Sequence, residues 1–146
     1  MFKHILISTD GSPISNKAAK AGIALASALG AKVSAYCAVE PLQPMYVEGY
    51  AFDQKVIEEI EQHARKAAQK RVDAIGKVAK AARVPFTSVV TKTSPPYEGI
   101  IAAAKKQKCD VIFMASHGRG GLSSLIMGSV TQKVLSHSRI PVVVYR

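Results

Sequence analysis

A polar, glycine-rich loop follows the most apolar short run of the chain, and its composition suits phosphate binding. The run DVIFM leads into ASHGRGGLSSLIMGSVTQ (115–132), which holds four glycines and four serines. Gly118, Gly120 and Gly121 allow successive backbone amides to point to the inside of the loop, as in phosphate-binding nests. Gly128 has no Cβ, so an anion can approach its backbone closely. The loop therefore predicts a phosphate cradle; the alternative is that its glycines serve only as turns.

The segment SVTQ (129–132) matches a capping box at the start of a helix. In such a box the Ser129 side chain accepts from the Gln132 amide, and the Gln132 side chain reaches back to the Ser129 amide. The last helix is therefore predicted to start at Ser129, with Gly128 just outside it. A helix start exposes N–H groups and the positive end of the helix dipole, which favours a bound anion.

Asp10 ends the first apolar run and brings a carboxylate to the same predicted edge of a sheet. In open α/β sheets, ligands bind beyond the carboxyl ends of the strands. If the strands before Asp10 and before the glycine-rich loop are neighbours, a carboxylate and a phosphate cradle share one crevice. A carboxylate that accepts from ribose hydroxyls beside a phosphate site describes a nucleotide. The alternative for Asp10 is a turn or capping residue before the first helix.

Standard nucleotide-binding motifs do not account for this arrangement. The chain has no GxxxxGK[ST] loop, and the turn after the first strand reads DGSPIS where a dinucleotide-binding motif would be expected. We expect His117 to order the loop through a nearby backbone group more than to contact a phosphate. Met45, Tyr46 and Tyr50 form either a lid over the crevice or a cover for the sheet edge, and both interpretations stay open.

The elements that must position these residues alternate along the chain. Apolar segments rich in β-branched residues predict five strands, at 3–9, 32–39, 86–91, 110–116 and 141–145. The first predicted helix begins at Pro13, capped by Ser12, and is stopped by Gly30; the second follows the apolar stripe from Val56 to an end near Arg83. The segment SPPYEGIIAAAKKQK predicts a turn and a third helix, and the last helix begins at Ser129. Residues 40–50 predict a loop. The alternation predicts an α/β fold with an open, mostly parallel five-stranded sheet and helices on both faces.

The length and composition of the chain fit one domain over residues 1–146. The chain is 48% hydrophobic, and no apolar run approaches the roughly 20 residues that span a bilayer. The N-terminal residues lack a signal-peptide pattern, and Cys37 and Cys109 form no disulfide framework, so a cytoplasmic location is expected.

The formal net charge is +10. The basic residues are spread along helical faces and no RNA-binding motif is present, so nucleic acid is not the expected partner.

Three segments resemble the universal stress protein family: ILISTDGSPIS at the start, ASHGRGGLSSLIMGSVTQKVL in the loop and SRIPVVVYR at the end. The ATP-binding branch of that family carries the pattern Gly-x2-Gly-x9-Gly-Ser/Thr. Here it reads Ala115-x2-Gly118-x9-Gly128-Ser129, with alanine in place of the first glycine. Alanine adds only one methyl group and suits extended backbone, so this difference is small. The resemblance implies a Rossmann-like domain that binds ATP.

The resemblance also implies a contact for each part of ATP. Thr9 and Asp10 match the adenosine-contacting segment, and Ala38 and Val39 match the backbone that faces the adenine. Met114 and Ala115 lie where the chain passes the ribose. The residues that match the phosphate cradle are Gly118, Arg119, Gly128, Ser129 and Val130. The family's strand order, 3-2-1-4-5, and a homodimer through the last strand are implied as well.

The expected function is that of an ATP-binding stress-response sensor or regulator. An enzyme is less expected, because the sequence presents no convincing base to activate water. Alternatives are a slow nucleotide hydrolase of the same architecture, a nucleotide-free dimeric interaction module and a nucleic-acid binder. The sequence contains no evident metal-ligand cluster, so any Mg²⁺ is expected to be carried mainly by the phosphates.

Overall fold

The computed structural model describes residues 1–42, 46–47, 50–51, 53–118 and 127–146. Within these residues the strands are β1 (His4–Ser8), β2 (Lys32–Val39), β3 (Tyr46–Val47), β4 (Tyr50–Ala51), β5 (Phe86–Lys92), β6 (Val111–Ala115) and β7 (Val142–Tyr145). The helices there are α1 (Pro13–Leu29), α2 (Gln54–Ala81), α3 (Pro96–Lys106) and α4 (Ser129–His137).

The main sheet has the strand order β5-β2-β1-β6-β7, and all its pairings are parallel. Counted over the five strands expected from the sequence, this order is 3-2-1-4-5, so the predicted fold class and strand order are confirmed. β1 lies between β2 and β6, and Ile5 pairs with both Val33 and Val111. Because β1 and β6 are neighbours, Asp10 and the segment that follows Ala115 leave the sheet at the same edge.

Burial on both faces explains the apolar central strands. Every residue of β1 and β6 is buried. Helices α1 and α2 cover the face that includes Ile5 and Ile7, and α3 and α4 cover the face that includes Leu6 and Ile112. None of the helices in the described parts of the chain combines the length and the apolar character needed to cross a membrane.

The ends of α1 follow the local sequence signals. The Ser12 side chain accepts from the Ser15 amide at 3.2 Å, and Pro13 occupies the first helical position. Gly30 ends the helix in the left-handed conformation, with φ 64°. The start and stop predicted for this helix are confirmed, and they fix the turn between β1 and α1 at the carboxyl edge of the sheet.

The connection between β2 and α2 contains more regular structure than the predicted loop. β3 and β4 pair antiparallel, with Tyr46 opposite Ala51. α2 begins at Gln54. Asp53 is its N-cap residue, and the Asp53 side chain accepts from the Lys55 amide at 2.9 Å. Met45, which belongs to the suggested lid, lies outside the described residues.

Candidate functional site

A cavity of about 940 Å³ opens at the carboxyl edge of the sheet, beside the start of α4. Small-molecule sites commonly measure about 300–1,000 Å³, so the cavity has room for a nucleotide-sized ligand. Most of the residues that the resemblance implied are found in its lining. They are Thr9, Asp10, Ala38, Met114, Ala115, Gly118, Gly128, Ser129 and Val130.

Two hydrogen bonds tie the start of α4 to the end of β6. The Gly128 amide donates to the Ser116 carbonyl at 2.8 Å. The Thr131 hydroxyl donates to the Ala115 carbonyl at 2.9 Å, and this bond is buried. Together they fix the position of the first helical turn relative to the sheet.

The first turn of α4 presents backbone donors to the cavity. The Gln132 amide donates to the Gly128 carbonyl at 3.0 Å. Helix geometry leaves the three preceding amides, those of Ser129, Val130 and Thr131, without an acceptor inside the helix. All three residues line the cavity, so this wall carries the positive end of the helix dipole.

The capping box predicted at Ser129 is wrong. The predicted start of α4 at Ser129, with Gly128 just outside the helix, is confirmed, but Gly128 is the N-cap residue, a position that the box assigns to Ser129. The Gln132 side chain donates to the Met127 carbonyl at 2.9 Å and not to the Ser129 amide. The first turn is held to the end of β6 by the bonds from Gly128 and Thr131 described above.

Gly118 and Gly128 allow close approach between chain segments. Gly128 has a φ of −61°, which any residue adopts, but a Cβ there would lie 3.1 Å from the Cα of His117. A Cβ on Gly118 would overlap the Asp10 carboxylate. The glycine spacing in the sequence thus corresponds to two points where side chains would push the walls of the cavity apart.

Asp10 shapes the turn after β1 and also borders the cavity. Its Oδ1 accepts from the Ser12 amide at 2.9 Å, while the Thr9 hydroxyl accepts from the Gly11 amide at 3.1 Å. The turn role considered for Asp10 is therefore present. The same carboxylate lies against Gly118, so it also faces the segment that leaves β6.

Part of the cavity lining is apolar. It includes Ala38, Pro96, Ile100 and Met114. Tyr36 also lines the cavity; it is buried, and its hydroxyl lies 2.7 Å from the Thr91 hydroxyl. A flat, weakly polar group such as a nucleobase suits these surroundings, because it buries apolar surface there.

Two implied site residues are not found in the described lining. Val39 is buried in the core, and its carbonyl accepts from the Thr93 amide at 2.9 Å, so that carbonyl is already bonded. Arg119 lies outside the described residues, as do Ser123 and Ser124 of the same loop.

Arg71 lines the cavity, although the sequence analysis did not single it out. Its side chain crosses the β1–α1 turn so closely that a Cβ on Gly11 would lie 2.6 Å from Arg71 Nε. Gly11 also has a φ of 80°, which favours glycine. A signal was present, since Arg71 lies on the same side of α2 as the buried residues Ala68 and Ile75. A positively charged residue three and four positions from buried apolar residues indicates that its side chain lies in an unusual environment.

His117 lies in the lining, with Nδ1 3.0 Å from the Ser116 hydroxyl. Within the described residues its partner is therefore the neighbouring Ser116 side chain, and the expected bond to a backbone group of the loop stays a prediction. The charged residues of the described lining are Asp10, Glu40 and Arg71. Because their charges are mixed, attraction of an anion to this cavity depends on where the donors point more than on net charge.

Comparison with known proteins identifies the family. A model described as "Universal stress protein family" matches residues 1–146. The chain belongs to the universal stress protein family. A universal stress protein of Thermus aquaticus, from the 3′ region of its QAH/OAS sulfhydrylase, is 33% identical over 146 residues, which is 100% of both chains. The universal stress protein MJ0531 of Methanocaldococcus jannaschii is 32% identical over 149 residues, covering 100% of this chain and 83% of the relative.

Solved structures share the universal stress protein fold of this chain. The protein MJ0577 superposes with a TM-score of 0.77 at 25% identity, covering 99% of this chain and 95% of the other. A universal stress protein in complex with cAMP gives a TM-score of 0.69 at 22% identity, with 99% and 97% covered. One from Archaeoglobus fulgidus in complex with dAMP gives 0.65 at 15% identity, with 100% and 98% covered.

Proposed function

We propose that this universal stress protein binds ATP in the cavity at the carboxyl edge of its sheet. The observation that carries the proposal is the set of backbone amides at the start of α4, which line a cavity of nucleotide size. Amides at the positive end of a helix bind phosphate oxygens without needing a charged side chain. The structures of similar fold in complex with cAMP and dAMP support a nucleotide as the ligand class.

In this proposal the phosphates lie along Gly118, Gly128, Ser129 and Val130, where the amides of α4 begin. Arg119 adds positive charge to this cradle. Any Mg²⁺ is carried by the phosphates themselves and adds charge neutralisation there.

The nucleoside lies towards the ends of β1 and β2. The Asp10 carboxylate accepts from a ribose hydroxyl, since each carboxylate oxygen can accept more than one hydrogen bond. Thr9 supports that turn. The base lies over the end of β2, which Ala38 and Val39 form, and Met114 and Ala115 pack against the ribose.

The proposed role is regulation in a stress response in the cytoplasm. The cradle consists of amides, which hold phosphate groups but do not activate water, so binding is proposed and not turnover. In this proposal an occupied cavity changes the contacts of a homodimer formed through β7, or of a partner protein.

A substitution at the first helical residue tests the amide cradle directly. Ser129→Pro removes one amide, and proline is favoured at this position of a helix. Gly128 has a ψ of 148°, which suits the residue before a proline. A hydrogen bond to a charged group contributes about 1.5–3 kcal/mol, so we expect ATP binding to weaken about tenfold or more. Calorimetric titration with ATP measures the change.

Ser129→Ala is the matched control, because it removes the hydroxyl and keeps the amide. We expect this variant to bind ATP more tightly than Ser129→Pro, with both variants folded by circular dichroism. Equal losses in the two variants would assign the effect to the hydroxyl. The proposed function fails if the wild type shows no binding of ATP, AMP or cAMP at about 1 mM, a concentration that detects even weak complexes.

A further inference from the structure

The amino edge of the sheet, opposite the cavity, carries a basic residue at the entry to each of the five parallel strands. In the spatial order of the strands, from β5 to β7, these residues are Arg83, Lys32, Lys3, Lys108 and Arg139. All five are exposed. Neighbouring strands lie about 4.8 Å apart, so this basic row extends over about 19 Å.

Hydrogen bonds between the strand entries hold the row together. The Lys32 amide donates to the Lys3 carbonyl at 3.0 Å, and the Asp110 amide donates to the His4 carbonyl at 3.0 Å. At the flank, the Val33 amide donates to the carbonyl of Pro85 at 2.8 Å. The backbone positions of the row are therefore set by the sheet itself.

Among the described residues, the carboxylates near the row are fewer than its positive charges. Among the described segments at this edge, Asp110 is the one acidic residue. Its two oxygens accept from the Lys3 amide at 2.7 Å and the His4 amide at 3.2 Å, so it is engaged with the backbone. On the side of α2, Asp73 lines the same surface groove as Lys80 and Arg83, so one further carboxylate lies near the β5 end of the row.

The helix dipoles offset only part of the positive charge at this edge. All four helices run antiparallel to the strands, so their C-terminal ends lie at this edge and contribute about −2 elementary charges in total. The row supplies five positive charges, and three exposed lysines in the last turns of α2 and α3 add to it: Lys80, Lys105 and Lys106. The edge therefore keeps a large positive excess after the dipoles are offset.

Two members of the row occupy backbone positions that favour glycine. Gly30, Arg83 and Lys108 follow the ends of α1, α2 and α3 with φ values of 64°, 55° and 54°. After each helix the same pair of closing hydrogen bonds forms, as in a Schellman motif. Glycine adopts this conformation at the least conformational cost, so local backbone energy does not explain the arginine and the lysine.

We propose that the basic row binds the phosphate backbone of a nucleic acid duplex without reading its sequence. The five cations extend over about 19 Å, which is close to the length of half a helical turn of DNA. The phosphate charges of DNA also follow one another along its backbone. The row lies at the edge opposite the cavity, so duplex and nucleotide bind independently. This proposal departs from the expectation drawn from the sequence, because the row becomes visible only once the strand order is known.

A glycine variant separates binding from folding. Arg83→Gly combined with Lys108→Gly removes two charges and relieves two left-handed residues. We expect the urea midpoint to stay equal or rise, while affinity for a fluorescent 20-base-pair duplex of mixed sequence falls about tenfold at about 50 mM salt. The slope of log affinity against log salt is expected to become shallower by about 2. Fluorescence anisotropy measures both quantities.

Lys17→Gln combined with Lys20→Gln is the matched control, since it removes two exposed charges from the first half of α1. We expect it to keep nearly wild-type affinity. Lys3→Gln with Lys32→Gln repeats the test in extended backbone, should the glycine variant not fold.

Several results would overturn the proposal. One is a wild type that does not bind the duplex at about 50 mM salt, where phosphate contacts are strong. Others are equal losses in the row and control variants, displacement of the duplex by saturating ATP, and binding to phosphatidylserine vesicles but not to the duplex.

Discussion

At the scale of single residues, His4 shows how burial changes the chemistry of a side chain. It lies at the amino end of β1, with Nε2 2.8 Å from the Ser34 hydroxyl. Its Nδ1 is buried and has no hydrogen-bond partner within the described residues. Loss of solvent lowers the pKa of His4, the charge of Lys32 lowers it further, and the charge of Asp110 raises it.

The lowered pKa predicts that acid weakens the fold through His4. In the unfolded chain a histidine titrates near pH 6.5, and the folded protein takes up this proton only at lower pH. The stabilisation is therefore complete above about pH 6.5 and is lost as the pH falls below it, because the unfolded state binds the proton more tightly. We expect the free energy of unfolding in urea to fall more for the wild type than for His4→Gln between about pH 7.5 and about pH 5.5.

His63→Gln removes an exposed histidine and is the matched control for this substitution. If His63→Gln reduces the pH dependence as much as His4→Gln does, the effect does not come from the burial of His4. If His4→Gln loses as much stability on acidification as the wild type, another group is responsible.

At the scale of elements, the ends that could be predicted are those whose partners are close in sequence. Ser12, Pro13 and Gly30 bound α1 through contacts within a few residues, so the sequence alone located both ends. The start of α4 at Ser129 was also predicted, but its cap was not, because the first turn is bonded to the end of β6, as in the bond from Thr131 to Ala115, 16 positions away.

The cap of α1 gives a prediction at this scale. Ser12→Ala removes the acceptor of the Ser15 amide, so we expect the free energy of unfolding to fall by about 1 kcal/mol. Ser12→Thr keeps a hydroxyl oxygen and should lose less. Urea unfolding followed by circular dichroism compares the two variants. Equal losses would mean that packing around the buried Ser12 matters and the capping bond does not.

At the scale of the whole molecule, β7 leaves one side of its backbone turned away from the sheet. The Pro141 carbonyl accepts from the Ile112 amide of β6 at 2.9 Å, and the Tyr145 carbonyl accepts at 2.7 Å from the amide of Ser116, which follows β6. Polar groups of successive residues in a strand point to opposite sides, so those of Val142 and Val144 point away from β6. This outer side is the surface through which the proposed homodimer forms.

Val144→Pro removes one outward amide, which an edge strand tolerates. If the dimer forms by strand pairing, we expect this variant to sediment as a monomer at concentrations where the wild type is a dimer. Val144→Thr keeps the amide and a β-branched side chain, and it should remain dimeric. A wild type that sediments as a monomer would remove the dimer from the proposed mechanism.

The arrangement of the whole molecule explains which site features the sequence could predict. Alternating strands and helices were enough to predict the sheet and to bring Asp10 and Gly118 to one edge. The spacing of Arg71 within the apolar stripe of α2 marks it as unusual, but its place in the cavity depends on the packing of α2 over the β1–α1 turn. The sequence therefore indicates that such a side chain is special without indicating which site it joins.

The bond from the Gly128 amide to the Ser116 carbonyl has a practical consequence for protein engineering. It joins the end of β6 to the start of α4 through the backbone itself, so a side chain can be changed beside the cavity without removing this bond. Met127 precedes the bonded amide and lines the cavity. A dye attached at position 127 is therefore a suitable fluorescent reporter of ligand occupancy.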